Sequence, residues 1–130
     1  MDKFLIKGPC KIKGQVFISG SKNAALPILA STILFDKTVT IENLPRVKDI
    51  DTMLNLLKSF GSKVKFFNNK KIVKITNNKK QKIFASYSLV KTMRAGILVL
   101  GPMIAKHQKS ITSLPGGCLI GARPVNYHLN

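Results

Sequence analysis

Cys118 lies in PGGCLIGARP, residues 115 to 124, between a Gly-Gly pair and an Arg-Pro pair. A structural cysteine is usually found in an apolar element, where it packs as a small hydrophobe. A thiol among glycines can approach a substrate closely and travel with a closing loop. Free cysteine titrates near pH ~8.5, and neighbouring cations or a helix N-terminus lower that value. Arg123 is five residues on, and Pro124 suits the first position of a helix. A thiol tuned toward neutrality can serve as a general acid. The other reading is a bystander thiol in a loop. Cys10 has no such surroundings and reads as structural.

Lys22-Asn23 follow a Ser-Gly-Ser turn and open a helix. The start of a helix offers unpaired amides and a positive dipole end, which together favour an anion. Lys22 would add a full charge, and Asn23 could bond both ligand and backbone. Capping plus one solvated lysine is the alternative. Lysine dominates the 22 basic residues, and Arg46, Arg94 and Arg123 are the arginines. A planar guanidinium is needed where phosphate or carboxylate must be held at two points, or a ring stacked upon. Arg94 lies in the apolar stretch KTMRAG, where a charge must face solvent or meet an anion.

These groups need a framework, and 130 residues with 45% apolar content can build one domain with a core. No apolar run reaches the ~20 residues of a membrane span. The N-terminus lacks a signal-peptide core, so the chain reads as cytoplasmic. Two cysteines in that setting do not suggest a disulfide framework. The net charge of +17 raises the question of a polyanionic partner. Yet the lysines are scattered, and mixed with Asn and Ile in NNKKIVKITNNKKQK. Phe66, Phe67 and Phe84 fit strand and core positions better than stacking platforms. A solvated, compositionally drifted surface is therefore favoured over a nucleic-acid patch. Retention on DNA that weakens with salt, without uridine-nucleotide binding, would reverse that preference.

The pattern along the chain is α/β. KIKGQVFIS alternates and predicts a strand; SKNAALPILASTILF predicts a helix with Ser21 as its cap. KTVTIENL reads as a strand. Val47 to Phe60 carries a helical face of Ile50, Met53, Leu54, Leu56 and Leu57, ended by Gly61. KVKFF and KIVKIT pair across Asn68-Asn69. SLVKTMRAGILVLGPMIA predicts one long helix, and KSITSL a strand. Ala24–Phe35 leading to Leu44-Pro45 recurs as Arg94–Ala105 leading to Leu114-Pro115, an offset of 70 residues. The repeating unit is βαβαββ, and about one and a half units are present. Such units bury their faces only by stacking on one another. A further helix is expected from Pro124, so the chain reads as a fragment of something longer.

Four stretches, ISGSKNAALPIL, the LP-x-V-x-D-I-D-T segment from Leu44 to Thr52, LVKTMRAGILVLGP and SLPGGCLIGARPV, together resemble the enolpyruvyl transferase family. The likeness is to the N-terminal third of its UDP-N-acetylglucosamine branch and runs from Met1 to Asn130. The shikimate-pathway branch shares the fold but not the cysteine loop. The resemblance implies an inside-out α/β barrel of two domains, each of three βαβαββ units, with ligands in the cleft between them. Residues 1–21 would be a leading strand segment belonging to the other domain, and 22–130 an incomplete transferase-like domain. The implied reaction moves the enolpyruvyl group of phosphoenolpyruvate to the 3′-hydroxyl of UDP-N-acetylglucosamine and releases phosphate. This is the first committed step of peptidoglycan synthesis, linking the family to cell wall, cell shape and cell division. No metal or organic cofactor is implied.

By the same resemblance Cys118 is the proton donor to phosphoenolpyruvate and the residue alkylated by fosfomycin. Lys22 and Asn23 contact phosphoenolpyruvate, and Arg94 contacts the UDP-N-acetylglucosamine ligand. Arg123, Pro124, Val125, Asn126 and Tyr127 hold the nucleotide, with Arg123 and Pro124 packing on the uracil. The family's usual aspartate after Arg-Pro-Val is Asn126 here, which keeps an acceptor oxygen and loses a charge. His128 has no assigned role. Asp2, Asp36 and Glu42 show no motif, and Asp49 and Asp51 lie where a helix start favours them. None is an evident base for the sugar hydroxyl, so the chain is expected to be inactive without the remainder of the enzyme. The readings kept beside this one are a small basic nucleic-acid-binding domain and a non-catalytic remnant.

Overall fold

The computed structural model describes residues 3–69, 71–91 and 93–113. Helix α1 spans Lys22–Ser31 and continues as a 3-10 turn over Thr32–Leu34. Strand β1 is Val39–Ile41, helix α2 Lys48–Ser59, and strands β2 and β3 are Lys63–Phe67 and Ile72–Thr76. Strand β4, Phe84–Ala85, and the short helix α3, Tyr87–Val90, begin the second unit. A 3-10 segment Arg94–Val99, helix α4, Leu100–His107, and strand β5, Ile111–Thr112, follow. The order is α/β, as the pattern predicts, with a sheet β1-β3-β2 that is antiparallel throughout and a parallel pair β4-β5.

The face predicted for α2 is the one it buries: Ile50, Met53, Leu54, Leu56 and Leu57. They meet Leu29 and Ile33 of the first helical segment, Val73 and Ile75 of β3, and Val90, Val99 and Met103 of the second unit. Each such side chain contributes roughly 1.5–3 kcal/mol by leaving water. Gly61 closes α2 at φ +100°, a region closed to most L-residues, with its amide on the Lys58 carbonyl. The β2-β3 connection places Asn68 and Asn69 at φ 47° and 49°, which asparagine tolerates. Strand alternation turns Val64, Phe66, Val73 and Ile75 inward and Lys63, Lys65 and Lys74 outward. Phe66 is in its expected place against the core, but Phe67 and Phe84 are about half exposed. The Lys74 ammonium lies 5.2 Å from the centre of the Phe67 ring.

A buried polar group joins the two units. The Asn77 amide donates to the carbonyls of Thr32 and Phe35 and accepts from Ser62 Oγ at 2.6 Å. Gln81 donates to Asn77, and its own oxygen lies 3.1 Å from His107 Nε2, which therefore carries the proton. Lys106 Nζ donates to the Ile33 carbonyl at 2.8 Å and pairs with Asp36 at 2.8 Å.

Three expectations are corrected. Residues 3–20 form no strand; Val16, Phe17 and Ile18 are 80–89% exposed, and Cys10 is an exposed thiol rather than a structural one. A strand needs a partner for its amides and carbonyls, and alternation alone supplies none. The helix predicted from Ser88 to Ala105 is broken. Met93 is extended (φ −145°, ψ 125°), and Gly96 abuts Val90 so closely that a Cβ would lie 3.0 Å from Val90 Cγ1. In a continuous helix the Pro102 ring would clash with the Leu98 carbonyl; α4 instead starts at Leu100, putting Pro102 in its first turn. Among the described residues no helix is long and apolar enough to cross a membrane.

Candidate active site

The turn before α1 is built by close packing. A Cβ on Gly20 would fall inside the carbonyl oxygen of Asn43, so this position accepts only glycine without rearrangement. Asn43 itself is at φ 53°, which turns the chain into the buried pair Leu44-Pro45. The contact between the two turns sets the start of α1 beside the start of α2.

Ser21 caps α1 as expected, its hydroxyl accepting from the Ala24 amide at 3.3 Å. Lys22 and Asn23 occupy the first turn, both exposed, and that turn has no acidic residue. Pro27 has no amide hydrogen, so the Asn23 carbonyl lacks its helical donor. The Ala24 and Ala25 amides are taken up by Ser21, which leaves the first turn with the Lys22 and Asn23 amides, one ammonium and one side-chain amide. A helix start of this kind can hold an anion.

Lys22 is already engaged. Its Nζ lies 2.9 Å from Asp49 Oδ2, with the two side chains 47% and 38% exposed. Asp49 and Asp51 sit in the first turn of α2, whose cap residue Val47 offers no side-chain oxygen. Their charges therefore answer the positive end of α2. Sequence reasoning left Asp49 without a partner; the available signal was an acid opening one helix and a lysine opening the other. A cavity of about 260 Å³ at the start of α2 is lined by Pro45, Arg46, Lys48, Asp51 and Phe66 among others, and by neither member of this pair.

Of the other predicted site residues, Arg94 opens the 3-10 segment that packs against α1. Cys118, Arg123, Pro124, Val125, Asn126 and Tyr127 lie outside the described residues. The structure therefore brings together Lys22, Asn23 and the unforeseen Asp49.

The sequence profile of the family described as EPSP synthase (3-phosphoshikimate 1-carboxyvinyltransferase) matches residues 6–130. A protein of Pelagibacter ubique named UDP-N-acetylglucosamine 1-carboxyvinyltransferase is 61% identical over 129 residues, 99% of this chain and 30% of the relative. One of the same name from Thermodesulfovibrio yellowstonii is 52% identical over 130 residues, again 30% of its length. The chain thus spans about 30% of the length of the curated relatives it matches. Among solved structures, the enolpyruvyl transferase NikO from Streptomyces tendae shares the fold at a TM-score of 0.61 and 15% identity, over 67% of this chain and 20% of that one.

Proposed function

The chain belongs to the EPSP synthase family of carboxyvinyl transferases, and from that premise we propose that it carries part of an enzyme acting on UDP-N-acetylglucosamine. The reaction is transfer of the enolpyruvyl group from phosphoenolpyruvate to the sugar 3′-hydroxyl with release of phosphate. The supporting observation is the near-complete match of this chain to proteins named for that carboxyvinyl transfer. Placement in cell-wall synthesis and in the cytoplasm belongs to the same proposal, as does sensitivity to fosfomycin.

In this reading Lys22, Asn23 and the α1 amides hold the phosphate end of phosphoenolpyruvate. The exposed, capped helix start supports that role. Arg94 contacts ligand from the segment beside α1. Cys118 donates a proton to the methylene carbon, and Arg123, Pro124, Val125, Asn126 and Tyr127 receive the nucleotide. Residues 1–21 pair with the other domain. The exposed apolar side chains and the lack of any strand over the described residues 3–20 support this, because such a segment buries its face only when a partner sheet is present. The isolated chain holds one wall of the cleft and should not turn over, since an open site neither excludes water nor orients both reactants.

The test is a chimera that continues this chain with the remaining sequence of the Pelagibacter ubique relative. Phosphate release should require both phosphoenolpyruvate and UDP-N-acetylglucosamine and should be lost in the Cys118→Ala chimera. Release with 3-phosphoshikimate as acceptor, and none with the nucleotide sugar, would overturn the substrate assignment. Sustained release by the 130-residue chain above its own Cys118→Ala control would overturn the claim that it is inactive alone.

A further inference from the structure

Lys22 and Asp49 are unequal partners. Asp49 is held by its own helix: it lies in the first turn of α2, where backbone amides favour a carboxylate whether or not Lys22 is near. Lys22 has a flexible four-carbon stem, and its ammonium donates to Asp49 and to no other group among the described residues. The first turn of α1 contributes no acid of its own, so the carboxylate comes from 27 residues away. The Gly20–Asn43 contact holds the two helix starts close enough for that reach. An ion pair this open to solvent is weak in water, so a more highly charged anion can take the ammonium from it.

We propose that Asp49 is a built-in competitor at the anion site, occupying Lys22 while the site is empty and yielding it when a phosphate-bearing ligand arrives. This rests on the reading of Lys22 as a phosphoenolpyruvate contact. Asp49 keeps the ammonium ordered at the start of α1, and it sets a threshold that weakly charged anions do not cross. It is a positioning residue: it touches Lys22, not the ligand. A residue that merely capped α2 would leave anion affinity unchanged when neutralised.

Inorganic phosphate is the probe. It is titrated at pH 8 and constant ionic strength into the isotope-labelled 130-residue chain, and the amides of Asn23 to Ala25 are followed by NMR. Four chains are compared: the parent, Asp49→Asn, Lys22→Ala and the double variant. The parent amides should respond, and Asp49→Asn should bind about fivefold tighter, the scale expected when a weak exposed ion pair no longer competes. The double variant should bind no better than Lys22→Ala. An Asp49→Asn affinity equal to or below the parent's overturns the proposal while leaving the Lys22 site intact. A gain of the same size in the Lys22→Ala background overturns it too, because the effect is then a general field rather than release of the ammonium. Silent amides in the parent remove the anion site itself, and the proposal with it. Unchanged amide dispersion in each variant shows that the fold survived.

Discussion

The stretch from Lys11 to Ser19 and the strands β2 and β3 carry the same alternation of apolar side chains with polar or basic ones. Only the second stretch is sheet. Val64, Val73 and Ile75 are turned into the core by a ladder that runs from Lys63↔Thr76 to Phe67↔Ile72. Val16, Phe17 and Ile18 stand in solvent, with no strand beside them among the described residues. The side-chain pattern decides which face of a strand would be buried. It does not decide whether the strand forms, because that needs a second backbone to take up amides and carbonyls. The hairpin brings its partner four residues away, across Asn68 and Asn69. The leading segment has none so near, and only a partner from elsewhere would make it a strand.

Truncations should separate the two regions most sharply. Phe60 is 1% exposed at the end of α2, and Phe60→Ala should destabilise the purified chain by about 3–5 kcal/mol in urea unfolding. Phe17→Ala should change stability by less than about 0.5 kcal/mol. A loss above ~1 kcal/mol at Phe17 would mean the leading segment is docked in solution, and the contrast would fail. In the chimera proposed above, the same Phe17→Ala change should become destabilising, because there its partner is supplied.

Asn77→Ala comes next. It removes the donor that serves the Thr32 and Phe35 carbonyls and the acceptor shared by Ser62 and Gln81, which keep only their bond to each other and the Gln81 contact with His107. A loss of about 2–3 kcal/mol is expected, the scale for buried polar groups left unpaired. A loss below ~0.5 kcal/mol would show that water replaces the amide freely. Smaller still is the turn. Asn69→Val places a β-branched residue at φ 49° and should cost about 1–2 kcal/mol, whereas Asn69→Gly should be neutral or slightly stabilising. Equal effects of the two would mean that backbone conformation does not set this hairpin's register.

The smallest effect belongs to Asp36. Lys106 beside it, first through their hydrogen bond and then through its charge, holds the Asp36 carboxyl below the ordinary carboxylate range. A group whose folded-state value is depressed stabilises the fold above its unfolded value near 3.8, and the benefit is lost as pH falls through the folded value. Asp36→Asn should therefore lower the unfolding midpoint slightly at pH 7 and not at all near pH 2. Because Asp36 is exposed, solvent and salt should weaken the effect further. An equal loss at both pH values would show that packing, not charge, links Asp36 to Lys106.

Much of the architecture was readable where one local rule acts alone. The buried face of α2, the Ser21 cap, the Gly61 stop and the Asn68-Asn69 turn each follow from periodicity or backbone chemistry within a few residues. The misses arise where distant contacts decide. The long helix predicted from Ser88 breaks because Val90 must meet Gly96 and Pro102 must fall in a first turn. The site was legible in Lys22 and Asn23, which stand adjacent at a cap. Asp49 was not, because its pairing depends on how Gly20 packs on Asn43, and no spacing in the sequence encodes that distance.

The polar group around Asn77 also bears on the order of synthesis. The last carbonyls of the first helical segment are taken up by Asn77 and by Lys106, the latter 73 residues downstream of Ile33. The Thr32 carbonyl also receives the Phe35 amide, but nothing nearer in the chain replaces these donors at Ile33 and Phe35 among the described residues. On a ribosome the segment emerges early and waits with its end hydrated while some seventy more residues are made. A chain stalled after Thr76 should therefore leave the Leu34 and Phe35 region open to hydrogen exchange, and release of the full length should close it. The element made first is finished late, by residues from the second half of the chain.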